Sequence, residues 1–124
     1  MTTTRRANRH RGEVEARLGG ECHVLCLTLG ALAELETAFG AEDLAALGQR
    51  LSEGRLSARD IIRIIGAGLR GAGTTLSDAE VAGLPVAGDL DAYARAVADL
   101  LAAAFGMANP NPSEVQRSQA TTNP

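Results

Sequence analysis

Two short runs with alternating polar and apolar residues lie near the start of the chain, on either side of a Gly-Gly pair. The runs read GEVEARL and ECHVLCLT, and the glycines occupy positions 19–20. Adjacent glycines accept the positive φ angles of a two-residue hairpin turn. The pattern predicts antiparallel strands near 13–18 and 21–28, with Leu18 opposite Glu21.

This register divides the predicted hairpin into two faces. One face carries mostly apolar side chains, namely Val14, Ala16, Leu18, His23, Leu25 and Leu27. The other face carries Glu13, Glu15, Arg17, Cys22, Val24 and Cys26. Because side chains alternate across a strand, the first face is predicted to be buried and the second to be wetter. A two-stranded hairpin is marginal alone, so helices are expected behind the apolar face.

Apolar residues at spacings of three and four predict a series of helices after the hairpin. The predicted spans are roughly 29–39, 42–53, 58–69, a short helix after Ser77 that ends at Pro85, and 89–105. Thr28 and the box-like Ser57–Asp60 segment are typical N-caps, and Gly40 is placed for a left-handed C-cap. The third helix is apolar almost all round and is therefore expected to be central.

Together these elements predict an α+β fold with an N-terminal two-stranded antiparallel β-hairpin packed on a cluster of four to five α-helices. A chain of 124 residues has room for one domain and its tails. We expect a mobile arginine-rich arm at 1–11, a single domain at 12–106 and a disordered tail at 107–124.

Charge and composition narrow the class of partner. The net charge is −3 although four arginines lie in the arm, so the remainder of the chain is acidic. An acidic body with few aromatic residues disfavours nucleic acid as a partner. The chain shows neither a run of about 18–20 apolar residues nor the apolar core of a secretory signal. We therefore predict a protein that has no membrane partner and is either cytoplasmic or associated with a particle.

One motif resembles a dinucleotide-binding fingerprint. The segment GAGLRG at 66–71 matches G-x-G-x-x-G letter by letter. In that fingerprint the glycines follow a strand and precede a helix whose N-terminus holds the pyrophosphate. Here the preceding isoleucines belong to a predicted helix, and a loop follows. We interpret the motif as a glycine-rich helix end that allows close packing, and we predict no cofactor.

The remaining chemical candidates do not form a reactive centre. Cys22 and Cys26 lie on one strand and are about 13 Å apart along it, too far for one zinc ion or a disulfide. His23 is predicted on the opposite face, and His10 lies in the arm. We predict free thiols, no metal and no enzymatic activity.

Three segments together resemble a small protein of gene transfer agents and related phage-like tail clusters. They read NRHRGEVEARLGG, LTLGALAELETAFG and LSARDIIRIIGAGLRGAG, and the resemblance extends from about Asn8 to Gly106. That family is described both as tail-tube-associated and as a tail assembly chaperone. The resemblance implies non-enzymatic work with tape-measure or tail-tube subunits. The chain differs from the family pattern in the Cys22/Cys26 pair and in its long tail.

Two surfaces are candidates for partner binding. The hairpin edge and wet face (Glu13, Glu15, Arg17 and Val24) are predicted to bind a tail partner or a second copy. Arg59, Arg63 and Arg70 lie along one side of the third helix, where they form either a solvated face or a dock for an acidic partner. Three function classes stay open: an assembly chaperone, a structural tail-tube component, and a small nucleic-acid-binding or regulatory protein.

Overall fold

A β-hairpin followed by five helices makes up the described part of the chain. The structure, a computed structural model, describes residues 12–106. Its elements are β1 (Glu13–Leu18), β2 (Glu21–Cys26), α1 (Leu29–Phe39), α2 (Leu44–Ser52), α3 (Ala58–Gly71), α4 (Asp78–Ala82) and α5 (Leu90–Phe105). The predicted α+β class is confirmed. The predicted arm at 1–11 and tail at 107–124 lie outside the described residues.

The hairpin has the register that its sequence predicts. β1 and β2 pair antiparallel with Leu18 opposite Glu21. Gly19 and Gly20 both have positive φ angles, 61° and 87°, as a type I′ turn requires. β2 ends at Cys26, two residues earlier than predicted. The reason is Thr28, whose hydroxyl accepts a hydrogen bond from the Ala31 N–H and starts α1.

Side-chain caps fix the start of each of the next three helices. Asp43 accepts the Ala46 N–H, so α2 begins at Leu44 and not at residue 42. Ser57 and Asp60 form a reciprocal capping box at α3, and Ser77 forms one at α4. α4 ends at Ala82, earlier than the predicted stop at Pro85.

The core lies between the apolar face of the hairpin and helices α3 and α5. α3 packs against β2, α1, α4 and α5, and α5 also packs against β1. The largest fully buried side chains of the core, which extends to α1 and α2, are Leu18, Leu25, Leu35, Leu47, Ile64, Ile65, Leu69 and Leu100. The predicted central position of the third helix is therefore confirmed. No helix within residues 12–106 has the length and apolarity to cross a bilayer.

Candidate partner-binding surface

The glycine motif lies inside α3 and forms its contact with the sheet and with α5. A Cβ atom on Gly71 would lie 2.0 Å from the Cys26 carbonyl oxygen. On Gly68 it would lie 2.8 Å from Leu100 Cδ1 and 3.2 Å from Leu25 Cβ. Glycine thus lets the α3 backbone approach the β2 backbone at Gly71 and the leucine side chains at Gly68. The packing interpretation of the motif is confirmed, since the glycines lie at the end of a helix and not before one.

The first glycine of the motif, Gly66, makes room for an ionic cluster. A Cβ on Gly66 would lie 2.3 Å from Asp78 Oδ1. Arg70 Nη2 pairs with Glu34 on α1 and lies 3.0 Å from that Asp78 oxygen, while Nη1 donates to the Leu76 carbonyl at 2.8 Å. The hydrogen bond to Glu34 raises the pKa of Arg70 against the effect of burial, and Asp78 raises it further. Arg70 thus ties α3 to α1 and α4.

A second cluster surrounds Phe39 at the end of α1. Arg63 Nη1 donates to the Ala38 carbonyl at 3.2 Å, and its Cζ lies 5.9 Å from the Phe39 ring centroid. Arg50 Cζ lies 5.4 Å from the same ring, and Arg50 Nη2 lies 3.3 Å from Asp60 Oδ2. The two distances from a guanidinium Cζ to the ring centroid, 5.4 and 5.9 Å, fall within the range of cation–π contact. These contacts join α1, α2 and α3.

The electrostatics of Asp60 follow from its place in the capping box. Burial acts to raise the pKa of this carboxyl group. Hydrogen bonds from the backbone and side chain of Ser57, together with the charge and hydrogen bond of Arg50, outweigh burial and lower the pKa. The carboxylate form of Asp60 is therefore the form that the fold stabilises.

The arginine row of α3 is mostly an internal feature. The guanidinium groups of Arg63 and Arg70 donate hydrogen bonds to residues of α1, whereas Arg59 is exposed. Their partners Ala38 and Glu34 lie 25 and 36 positions earlier in the chain. Local spacing along α3 carries no signal of such distant partners, which is why the sequence showed only a row of charges. Of these three arginines, only Arg59 could bind an acidic partner without giving up a contact within the fold.

The face of the hairpin that points away from the helices is the main exposed polar surface of the sheet. We define the open face of the hairpin as Glu15, Arg17, Cys22, Val24 and Cys26. Glu15, Arg17 and Cys22 are exposed, and Val24 and Cys26 are partly buried.

Glu13 was predicted on this wet face, but it is only 3% exposed. Alternation fixes the direction of a side chain but not what covers it, so Glu13 is removed from the candidate surface.

The cysteines and the histidine occupy the faces that the register predicts. Cys22 and Cys26 lie on the open face, and neither forms a disulfide among residues 12–106. His23 lies on the helix side, with Nε2 3.9 Å from Glu21 Oε1. Within residues 12–106 no three His, Cys, Asp or Glu side chains are grouped to hold a metal ion.

Both long edges of the hairpin run along the surface of a two-stranded sheet. Residues 12–106 contribute no third strand to it. The residues that flank a two-residue turn form a hydrogen-bonded pair, and such pairs alternate along the strands. The register therefore turns the backbone groups of Glu15 and Arg17 toward the outer edge of β1. It turns those of Cys22 and Val24 toward the outer edge of β2.

Comparison with protein families gives one match. A family model described as "Phage tail tube protein, GTA-gp10" matches residues 11–107. The match covers the hairpin and all five helices, which is most of the chain. Searches of curated proteins and of solved structures gave no match.

Proposed function

This chain belongs to the phage tail tube protein family of gene transfer agents, and from that membership we propose that it helps to build a phage-like tail without enzymatic activity. The family match carries this proposal. It favours a tail protein over the small nucleic-acid-binding protein that the sequence left open. The exposed side chains and open strand edges of the hairpin support a contact role for this part of the chain.

We place that work on the open face of the hairpin and the outer edge of β2. Arg17 and Cys22 are exposed there, and Val24 is partly buried beside them. An open strand edge carries backbone donors and acceptors that pair with an added strand. The side chains of the open face then supply selectivity. In this proposal the chain acts as a tail assembly chaperone that binds tape-measure or tail-tube subunits.

A structural role in the finished tail tube is the second candidate. The description of the matching family as a tail tube protein favours it directly. The same open edge would then contact neighbouring subunits permanently and not during assembly alone. The two roles differ in where the protein is found after assembly is complete.

The composition of purified particles separates the two roles. Quantitative mass spectrometry would compare this chain with the major tail subunits, both in producing cells and in finished particles. A tube component is expected in many copies per particle. A chaperone is expected in the cells and absent from the particles. Complete, infective or gene-transferring particles from a strain that lacks the gene would contradict both roles.

The contact surface is tested by Val24→Pro. The Val24 N–H points to the outer edge of β2, so proline removes a donor from that edge and leaves the hydrogen bonds of the hairpin in place. We expect the variant to lose copurification with tape-measure and tail-tube subunits and to yield no tails. Val24→Thr keeps the donor and is the matched control. Normal tails from a Val24→Pro chain with an unchanged circular dichroism spectrum would exclude this edge as the contact.

A further inference from the structure

We propose that the partner of the β2 edge is an extended segment in which acidic and apolar residues alternate on one face. In this segment an aspartate or glutamate faces Cys22, and an apolar residue two positions away faces Val24. The inference rests on the proposed tail contact at this edge and names the chemistry of its partner. It is supported by the charge of Arg17, the short side chain of Cys22 and the apolar side chain of Val24.

Arg17 carries a charge of the open face that has no ion partner within residues 12–106. Its side chain is exposed, and none of the ion pairs in that part of the chain includes it. A guanidinium group presents a planar fork that matches the two oxygens of a carboxylate. An acidic residue on an added strand therefore pairs with Arg17, whereas a basic residue would meet a like charge.

The side chain opposite Arg17 leaves a path from β1 to the outer edge of β2. Arg17 faces Cys22 directly, and the backbone groups of both residues point outward. In antiparallel strands this is the kind of pair whose side chains lie closest together. The thiol of Cys22 extends only one heavy atom beyond Cβ. The long side chain of Arg17 therefore has room to lie across Cys22 along the open face.

A strand added at β2 brings a carboxylate within reach of Arg17. Neighbouring strands are about 4.8 Å apart, so the added strand lies about 9.6 Å from β1. Long side chains interact across about 7–8 Å on one face of a sheet, and the carboxylate side chain covers the remaining distance. The position that faces Cys22 lies in line with Arg17. The acidic residue is therefore assigned to that position.

Val24 sets a different preference two residues along the same edge. It is apolar and partly buried. It faces Glu15 across the hairpin, and its two methyl groups lie between Glu15 and the edge. Glu15 also has a partner of its own. An apolar residue that packs on Val24 is therefore assigned to the position that faces it.

A second β2 edge does not supply this pattern. The residues of β2 that turn their backbone groups outward are Cys22, Val24 and Cys26, and none of them is acidic. Pairing of two β2 edges through these residues would leave Arg17 without a carboxylate. Charge complementarity thus favours a segment of another protein, which under the proposed function is a tape-measure or tail-tube subunit.

Selection of short random peptides by mRNA display on the immobilised full chain tests the inference. Peptides that also bind the Val24→Pro chain are discarded, so that only ligands of the β2 edge remain. The remaining peptides should share an acidic residue and an apolar residue two positions apart. Selection on Arg17→Glu should replace the acidic residue with lysine or arginine and keep the apolar residue. Arg59→Glu reverses an exposed arginine on α3 and is the matched control, on which the wild-type preference should persist.

The affinity of one selected peptide measures the contact between Arg17 and the acidic residue. Fluorescence anisotropy with the wild-type chain should give a dissociation constant about threefold higher when the acidic residue becomes its amide, and about tenfold higher when it becomes lysine. On the Arg17→Gln chain the acidic peptide and its amide should bind equally well. This double-mutant cycle separates the charge contact from the rest of the interface. Added salt should reduce the difference, because the pair is exposed.

Failure of this inference is distinguishable from failure of the proposed function. Ligands that need the β2 edge but lack the acidic residue, or that are the same on Arg17→Glu as on the wild type, would overturn the inference and leave the edge contact intact. A library without any ligand that Val24→Pro loses would overturn the edge contact and the inference with it.

Sedimentation velocity of the chain alone tests the competing occupant, a second copy. Self-association that both Arg17→Glu and Val24→Pro abolish would assign a second copy to this edge and overturn the inference. A wild-type chain that stays monomeric while it binds the selected peptides supports the inference. Circular dichroism of each variant keeps these outcomes separate from misfolding.

Discussion

Two surfaces of this small domain contrast sharply: the glycine surface of α3 and the open face of the hairpin. The glycine surface (Gly66, Gly68 and Gly71) lies against other elements at distances that leave no room for a methyl group. The open face carries exposed charges and a thiol on the side of the hairpin that points away from the helices. We expect the glycine surface to be essential for the fold and the exposed side chains of the open face to contribute little to it.

The contrast shows how far a motif depends on its context. The letters G-x-G-x-x-G suggest a phosphate site, yet here each glycine gives space to a neighbouring element. The hairpin face matches no motif, but its exposed side chains and open edges are the features expected of a contact surface. In this chain the residues that resemble a phosphate-binding motif pack helix α3 against its neighbours, and the proposed contact surface matches no motif.

The strongest test of the contrast is Gly71→Ala. The new methyl group would lie 2.0 Å from a backbone oxygen at Cys26, and backbone cannot move aside as a side chain can. We expect the free energy of unfolding to fall by about 3 kcal/mol or more. Urea titration followed by circular dichroism measures it.

Gly30→Ala is the matched control for this test. Gly30 lies in α1, and its nearest neighbour to a new methyl group is Thr28 Oγ1 at 3.8 Å. Alanine there should leave stability unchanged or raise it by up to about 1 kcal/mol. If Gly71→Ala were as mild as Gly30→Ala, the close contact between α3 and β2 would not exist.

A smaller loss is expected for Gly68→Ala. The methyl group would meet Leu100 Cδ1 at 2.8 Å and Leu25 Cβ at 3.2 Å, and a leucine end can rotate away. Overpacking of this kind costs about 1–3 kcal/mol. Leu100→Val removes the offending carbon, so the double variant should be more stable than the sum of the single effects predicts. Simple additivity in a thermal or urea double-mutant cycle would contradict the contact.

The parts of the fold that the sequence predicted are those set by local chemistry. The glycine turn and strand alternation fix the register of the hairpin, and Thr28 and Ser57 fix helix starts within three residues of themselves. The partners of Arg63 and Arg70 come from distant segments, so no local pattern could reveal them. Glu13 was predicted on a wet face and lies buried, because strand alternation gives the direction of a side chain and not its exposure.

For the candidate site, the sequence predicted the composition of the open face but not its surroundings. Alternation placed Arg17 and Val24 on one side of the hairpin, and the register confirms this. The arginines of α3 could not be sorted by spacing, because an exposed and a clamped arginine look alike in a helical pattern. The structure separates them by showing what each guanidinium touches.

The arginine row gives the third test, with the control on the same helix. Arg70→Gln removes the shared partner of Glu34 and Asp78 and should lower the free energy of unfolding by about 1–3 kcal/mol. Its side chain is 27% exposed, so solvent weakens the effect and the lower half of that range is expected. Arg59→Gln should change stability by less than about 0.5 kcal/mol. If both variants lost the same free energy of unfolding, the contacts of Arg70 with Glu34 and Asp78 would not stabilise the fold.

Asp60 gives a test in which pH is the variable. Its folded pKa lies below the unfolded value of 3.8, so its carboxylate stabilises the fold fully above that value. This contribution disappears as the pH falls through the folded pKa. Asp60→Asn should therefore cost about 1 kcal/mol at neutral pH. The gap between wild type and variant should stay constant from about pH 7 to 5 and close below about pH 4.

Urea titrations at several pH values measure that gap. A gap that widens in acid would have the opposite sign and would show that the folded pKa is raised. Ser57→Ala is a useful companion, because it removes the hydroxyl of the capping box and leaves the charge of Arg50 in place. Ser57→Ala should lower the free energy of unfolding at neutral pH, and part of the further loss of stability in acid should remain.

The smallest effect is expected on the open face itself. Arg17 is exposed and pairs across the strands with Cys22, and it contacts no helix through an ion pair among residues 12–106. Arg17→Gln should therefore change the free energy of unfolding by less than about 0.5 kcal/mol. A loss above about 1 kcal/mol would make Arg17 part of the fold and remove the contrast with α3.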